Sequence, residues 1–132
     1  MGKEMCKAFY LVGAHVVVAS RKLDNCQELC AELEDTPDTD GQRTLAVACN
    51  QSSWDDCNAL VATVYAEFGR CDVFVNNAGG SPLYPSLAEI DEAYFDKIVG
   101  LNMKGPFRLC ALVGAKMQEQ EWAPGETGSM SV

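Results

Sequence analysis

Three runs rich in apolar and β-branched residues, Ala14 to Ala19, Arg43 to Cys49 and Asp72 to Asn76, begin about thirty residues apart, the length of a strand plus a crossover helix. The cores of the first and third, Val16-Val17-Val18 and Val73-Phe74-Val75, are continuous rather than alternating. That predicts strands covered on both faces, as in a parallel sheet. Between the runs the apolar positions change to helical spacing: Leu23, Cys26, Cys30 and Leu33, then Cys57, Leu60, Val61, Val64 and Phe68, with Gly69 as the stop. The alternation reads βαβαβ. Ahead of it, Lys3 to Val12 reads as a helix burying Met5, Ala8, Phe9 and Val12, which leads through Gly13 into the first strand.

After the third strand, Asn77 to Ser86 carries Gly79, Gly80, Pro82 and Pro85 and is predicted to be a loop at the strand's carboxyl end. Ser86 and Glu89 have capping-box spacing, and Leu87, Ile90, Tyr94, Ile98 and Leu101 then mark one helical face. A second helix is expected from about Met103 to about Gln120, with Phe107, Cys110 and Met117 inward. Trp122 to Gly128 is a predicted turn before a short strand at Ser129, and the acidic stretch Glu32 to Asp40 a solvated connection.

A chain of 132 residues, 48% hydrophobic, has room for one domain, taken here as residues 1–132. Its formal charge of −9 is the wrong sign for a phosphate-backbone binder, which excludes nucleic acid as a partner. No apolar run approaches the roughly 20 residues needed to cross a bilayer, and the amino terminus lacks a signal-peptide pattern. The expected location is cytoplasmic, with no membrane partner. Seven cysteines without a CxxC pair read as reduced small hydrophobes. Cys26 and Cys30 lie a helical turn apart, but His15 opens a strand far from them in the pattern, so no metal site is expected.

Candidate chemistry concentrates in Cys71-Asp72-Val73-Phe74-Val75-Asn76-Asn77-Ala78-Gly79-Gly80. Open parallel sheets bind ligands beyond the carboxyl ends of their strands, where glycine lets a flat ligand approach the backbone. A strand ending in Asn-Asn-Ala-Gly resembles the short-chain dehydrogenase/reductase family, and the other landmarks fall in that family's order. The resemblance implies a three-layer Rossmann-type α/β fold, here incomplete, with strands two to four and the start of five plus flanking helices. It places Asn77, Ala78 and Gly79 beside a dinucleotide cofactor. It makes Ser20, Arg21 and Lys22 the turn that meets the adenosine ribose, where NAD-preferring relatives usually carry a carboxylate. A guanidinium beside an ammonium suits a 2′-phosphate, so NADP is expected over NAD. Asn50 and Gln51 stand where relatives read the adenine. Asn102, in Gly100-Leu101-Asn102-Met103-Lys104-Gly105, matches the family's Asn at a helix irregularity, which holds a water in a proton relay.

The resemblance also places the family's first strand and glycine-rich phosphate loop before residue 1, and its catalytic Ser and Tyr-x3-Lys pair after residue 132. None of Tyr10, Tyr65, Tyr84 or Tyr94 has a lysine four residues on. The expectation is a fragment of an NADP-dependent carbonyl reductase or alcohol dehydrogenase, carrying the adenosine side of the cofactor site and inactive alone. Its parent would act on a small carbonyl or alcohol substrate. The alternative is a non-catalytic nucleotide-binding or assembly module using the helices of residues 87–120 as a homo-oligomer face. A receiver-type domain fits the length but fails because Asp72 starts its strand rather than ending it.

Overall fold

A computed structural model describes residues 1–37 and 41–131, and the chain divides into two compact units, Met1–Asn50 and Gln51–Val132. Part of the expected acidic connection, residues 38–40, lies outside the described residues.

The first unit runs α1 (Gly2–Leu11), β1 (Val16–Ser20), α2 (Leu23–Glu34) and β2 (Thr44–Ala48). β1 and β2 pair in parallel, Val16 opposite Thr44 through Ser20 opposite Ala48, so both carboxyl ends finish at one edge. Tyr10, Val16, Val18, Cys26, Leu29, Cys30 and Leu33 form its core, with Cys6, Phe9 and Ala46 packed against it. Each fully buried large apolar side chain there contributes on the order of 1.5–3 kcal/mol. The buried side of α1 differs from the predicted one: Tyr10 is buried, whereas Ala8 is exposed and Val12 is 80% exposed. The cause is local, because α1 ends at Leu11 and Val12 lies in the turn that Gly13, at φ +94°, completes. Tyr10 is fixed reciprocally, its hydroxyl donating to the Gln42 carbonyl at 3.4 Å and its own carbonyl accepting from Gln42 Nε2 at 3.2 Å.

The second unit runs α3 (Trp54–Phe68), β3 (Val73–Val75), a 3₁₀ turn (Leu87–Glu89), α4 (Glu92–Val99), a π-helical turn (Gly100–Lys104), α5 (Gly105–Glu119) and β4 (Ser129–Ser131). β3 and β4 pair in parallel, Val73 opposite Ser129 and Val75 opposite Ser131. α3 is closed at both ends by its own sequence. Ser53 Oγ accepts the Asp56 amide at 3.2 Å, and Gly69, at φ +75°, takes the left-handed position after the last turn. α3 and α5 pack together, and Cys57, Leu60, Val61, Leu109, Val113 and Met117 are buried. Arg108 adds a polar tie between these helices, donating from Nε and Nη2 to Asn58 Oδ1 at 2.8 and 2.6 Å.

Three expectations are corrected in this unit. Phe107 is 66% exposed, and the inward row of α5 is Leu109, Val113 and Met117. Leu87 and Ile90 do not open a helix. Ser86 Oγ bonds the Glu89 carboxylate, while Asp91 accepts the Tyr94 amide at 2.7 Å and starts α4 one residue later. Val73, expected to be covered, is 46% exposed.

Candidate functional site

The predicted residues fall into a cluster in each unit. In the first, β1 ends at Ser20 and the chain turns into α2 through Arg21 and Lys22. Ser20 Oγ makes that turn: it accepts the Lys22 amide at 3.3 Å, donates to the Lys22 carbonyl at 3.2 Å, and accepts the Cys26 thiol at 3.2 Å. A hydroxyl has one proton and two lone pairs, so Ser20 is saturated by its own turn. Arg21 and Lys22 are exposed and form no ion pair among the described residues. The turn therefore presents positive charge that no carboxylate among the described residues pairs with. Asn50, also exposed, follows the end of β2 next to Cys49, whose amide bonds the Ser20 carbonyl at 2.8 Å.

In the second unit, β3 delivers Asn76 and Asn77 into the loop Asn77–Gly80. Asn76 continues the ladder through its amide, which bonds the Ser131 carbonyl at 2.8 Å, while both polar atoms of its side chain are buried without a partner. Asn77, Ala78 and Gly79 are exposed. The π turn places Asn102 against this loop. Its Oδ1 accepts the Gly80 amide at 3.0 Å, and its Nδ2 donates to the carbonyls of Gly80 and Ile98 at 2.8 and 3.0 Å. Both Nδ2 protons are used, which leaves one Oδ1 lone pair for any water or ligand. Gly79 permits the approach, because a Cβ there would lie 3.0 Å from Asn102 Oδ1. π turns of this kind recur at functional sites.

Gln51, placed by its sequence neighbourhood beside Asn50, points inward instead. It is buried, and its Nε2 donates to the carbonyls of Ala78 and Leu101 at 3.4 and 3.1 Å.

Sequence reasoning missed two arrangements. The Tyr94 ring packs tilted against Tyr84, centroids 4.6 Å apart and planes at 55°, and its hydroxyl bonds the Pro82 carbonyl, which fastens the proline-rich loop to α4. Trp54 carries the Arg108 guanidinium 4.5 Å and the Lys104 ammonium 5.9 Å from its ring centre. The i, i+4 spacing of Lys104 and Arg108 was a signal for the second; nothing in the sequence marks the first. A cleft of about 490 Å³ near the start of β3 is lined by Tyr65, Arg70, Lys116 and Gln120, and holds none of the predicted residues. Burial pushes the nearby Tyr65 phenol up to about 12 and the Cys71 thiol up to about 11, so neither is poised to react near neutrality.

The family model for short chain dehydrogenases matches residues 1–124. The chain is 32% identical over 108 residues to dehydrogenase/reductase SDR family member 4 of Pongo abelii, covering 82% of this chain and 37% of that protein. A metagenomic short-chain oxidoreductase in complex with NADP superposes with a TM-score of 0.81 at 28% identity, covering 88% of this chain and 50% of that one. The 3-ketoacyl-(acyl-carrier-protein) reductase from Brucella melitensis, complexed with NADH, superposes at 0.85 with 29% identity, covering 98% of this chain and 50% of that one. The chain thus spans under half the length of the curated relative and half of these two structures, and its α/β architecture is of their Rossmann type. On the family match and on these likenesses, the chain belongs to the short chain dehydrogenase family.

Proposed function

We propose that this chain carries the adenosine side of the cofactor site of an NADP-dependent oxidoreductase acting on a small carbonyl or alcohol. The observation that carries the reading is the loop Asn77–Gly80 held by Asn102 in a π turn: glycine and exposed backbone beyond a strand's carboxyl end, where a flat cofactor can approach. The turn at Ser20–Lys22 supports NADP over NAD. Two exposed cations without carboxylate partners among the described residues suit a 2′-phosphate, and the saturated Ser20 shapes the turn that presents them. One solved relative holds NADP and another NADH, so the family accommodates both, and the charge at Arg21 and Lys22 supports NADP for this chain.

When bound, the cofactor would supply hydride at its nicotinamide. The chain's own residues hold the adenosine end, keep the loop beyond β3 in one conformation, and leave one acceptor at Asn102 Oδ1. No tyrosine here is followed by a lysine four residues on, the pair expected to handle the substrate proton. The chain by itself is therefore proposed to bind nucleotide without turning substrate over. Titration with NADPH, read by nicotinamide fluorescence, together with a carbonyl-reduction assay, tests this. Saturable binding without turnover is expected. Turnover that survives rigorous purification and disappears in Asn102→Ala would overturn the second half, and no binding would overturn the first.

A further inference from the structure

Gln51 is the buried polar side chain of the described residues, and the geometry of its amide is specific. Nε2 has two protons and both are used, one on the Ala78 carbonyl in the loop after β3 and one on the Leu101 carbonyl in the π turn. A regular α-helix would give the Leu101 carbonyl to the Gly105 amide, but in the π turn that amide bonds the Gly100 carbonyl, and the residue five on from Leu101 is Pro106, which has no N–H, so the Leu101 carbonyl is left to a side chain. The loop and the turn are thus joined twice, at Gly80 by Asn102 and at Ala78 by Gln51.

The seat of Gln51 is equally defined. Its carbonyl accepts the Cys57 thiol at 3.4 Å, and Gly105 lies so close that a Cβ there would fall 2.0 Å from the same oxygen. An apolar side chain would fill this position but supply no donor, so the choice of an amide has a consequence only for the two carbonyls it holds. Ala78, Gly79 and Gly80 are themselves exposed, and packing alone does not fix their conformation.

We propose that Gln51 is a positioning residue, whose amide clamps Ala78 to Leu101 and thereby holds the Asn77–Gly80 loop in the single conformation that receives the ligand. The step from loop to ligand rests on the cofactor reading above; the clamp itself does not. Gln51 consequently acts from beneath the site, through the loop backbone, where its neighbour in sequence, Asn50, remains exposed.

The test uses the full chain and NMR hydrogen exchange without nucleotide. Gln51→Met keeps length and volume and removes both donors. The expected result is a fall of about 5- to 10-fold in protection of the Gly80 amide, while the Asn76 amide in the β3–β4 ladder and the α3 amides change by less than about twofold. A fall shared equally by Gly80, Asn76 and α3 would show that Gln51 only fills the core, and would overturn the clamp. Should Gln51→Met fail to fold, the wild type decides. The two Gln51 Nε2 protons should exchange slowly and show cross-relaxation to the Ala78 and Leu101 α-protons, and fast exchange without those contacts would overturn the proposal. NADP titration of the same proteins separates the two readings. Weakening by about fivefold or more in Gln51→Met is expected. Unchanged affinity with a loosened Gly80 would overturn the link to the ligand, whereas a wild type that binds no NADP would refute the cofactor and leave the exchange result to decide the clamp.

Discussion

Asn102 grips both backbone groups of Gly80: its Oδ1 takes the amide at 3.0 Å and its Nδ2 the carbonyl at 2.8 Å. One side chain in a π turn thereby sets the direction of a loop twenty-two residues earlier in the sequence. Removing it in Asn102→Ala should cost about 1 kcal/mol for each bond that water does not replace, felt as local opening rather than global unfolding. Hydrogen exchange should show Gly80 unprotected while α5 amides keep their rates. Asn102→Asp retains the acceptor and loses both donors, so it should open the Gly80 carbonyl contact and keep the amide contact.

The glycines of α5 differ in what surrounds them. At Gly105 a Cβ would meet backbone, the Gln51 carbonyl oxygen, at 2.0 Å, whereas at Gly114 it would meet the flexible end of Met130 at 3.5 Å. Gly105→Ala should therefore lower stability by about 1–3 kcal/mol or more, since the helix or the turn at Gln51 must shift. Gly114→Ala should raise it by about 0.5–1 kcal/mol through helix propensity. Urea midpoints of the two variants check both signs, and similar shifts in one direction would contradict the packing described.

Glu32 on α2 pairs with Lys3 and Lys7 of α1, each at 2.6 Å, and hydrogen bonds from these two ammonium groups hold its carboxyl below the ordinary value of 4.5. A carboxyl depressed in the folded state contributes stability above its unfolded value and loses it as pH falls through the folded one. The wild type should accordingly lose more stability than Glu32→Gln between about pH 5 and pH 3, and the difference should shrink in high salt because the pair is exposed. Parallel acid-unfolding curves for the two proteins would contradict the pairing.

Much of the architecture was legible because the signals were local and redundant. The valine run at Val16–Val18, the spacing of Cys26, Cys30 and Leu33, and the Gly69 end of α3 each agree with the element around them. Two of the misreadings, on α1 and α5, share one cause, that periodicity gives a face but not where the face begins. Val12 sits on the apolar stripe of α1 yet lies beyond the helix end, and Phe107 precedes the row that α5 buries. A π turn, Gly100–Lys104, precedes α5, whose inward row is Leu109, Val113 and Met117 rather than one that includes Phe107. Around the candidate site, the loop after β3 was readable from Gly79, Gly80, Pro82 and Pro85, and the helix irregularity at Asn102 from the family resemblance. The inward turn of Gln51 was not, since it depends on two carbonyls distant in sequence.

The proposed selection of a 2′-phosphate by Arg21 and Lys22 is measured by calorimetry with adenosine 2′,5′-bisphosphate and adenosine 5′-monophosphate on the wild type and Arg21→Ala. A charge-assisted contact is worth about 1.5–3 kcal/mol, or roughly 10- to 150-fold in affinity. The account predicts that the wild type prefers the bisphosphate by a factor in that range, and that Arg21→Ala loses most of the preference while its affinity for the monophosphate is retained. Equal wild-type affinities for the two nucleotides would contradict it.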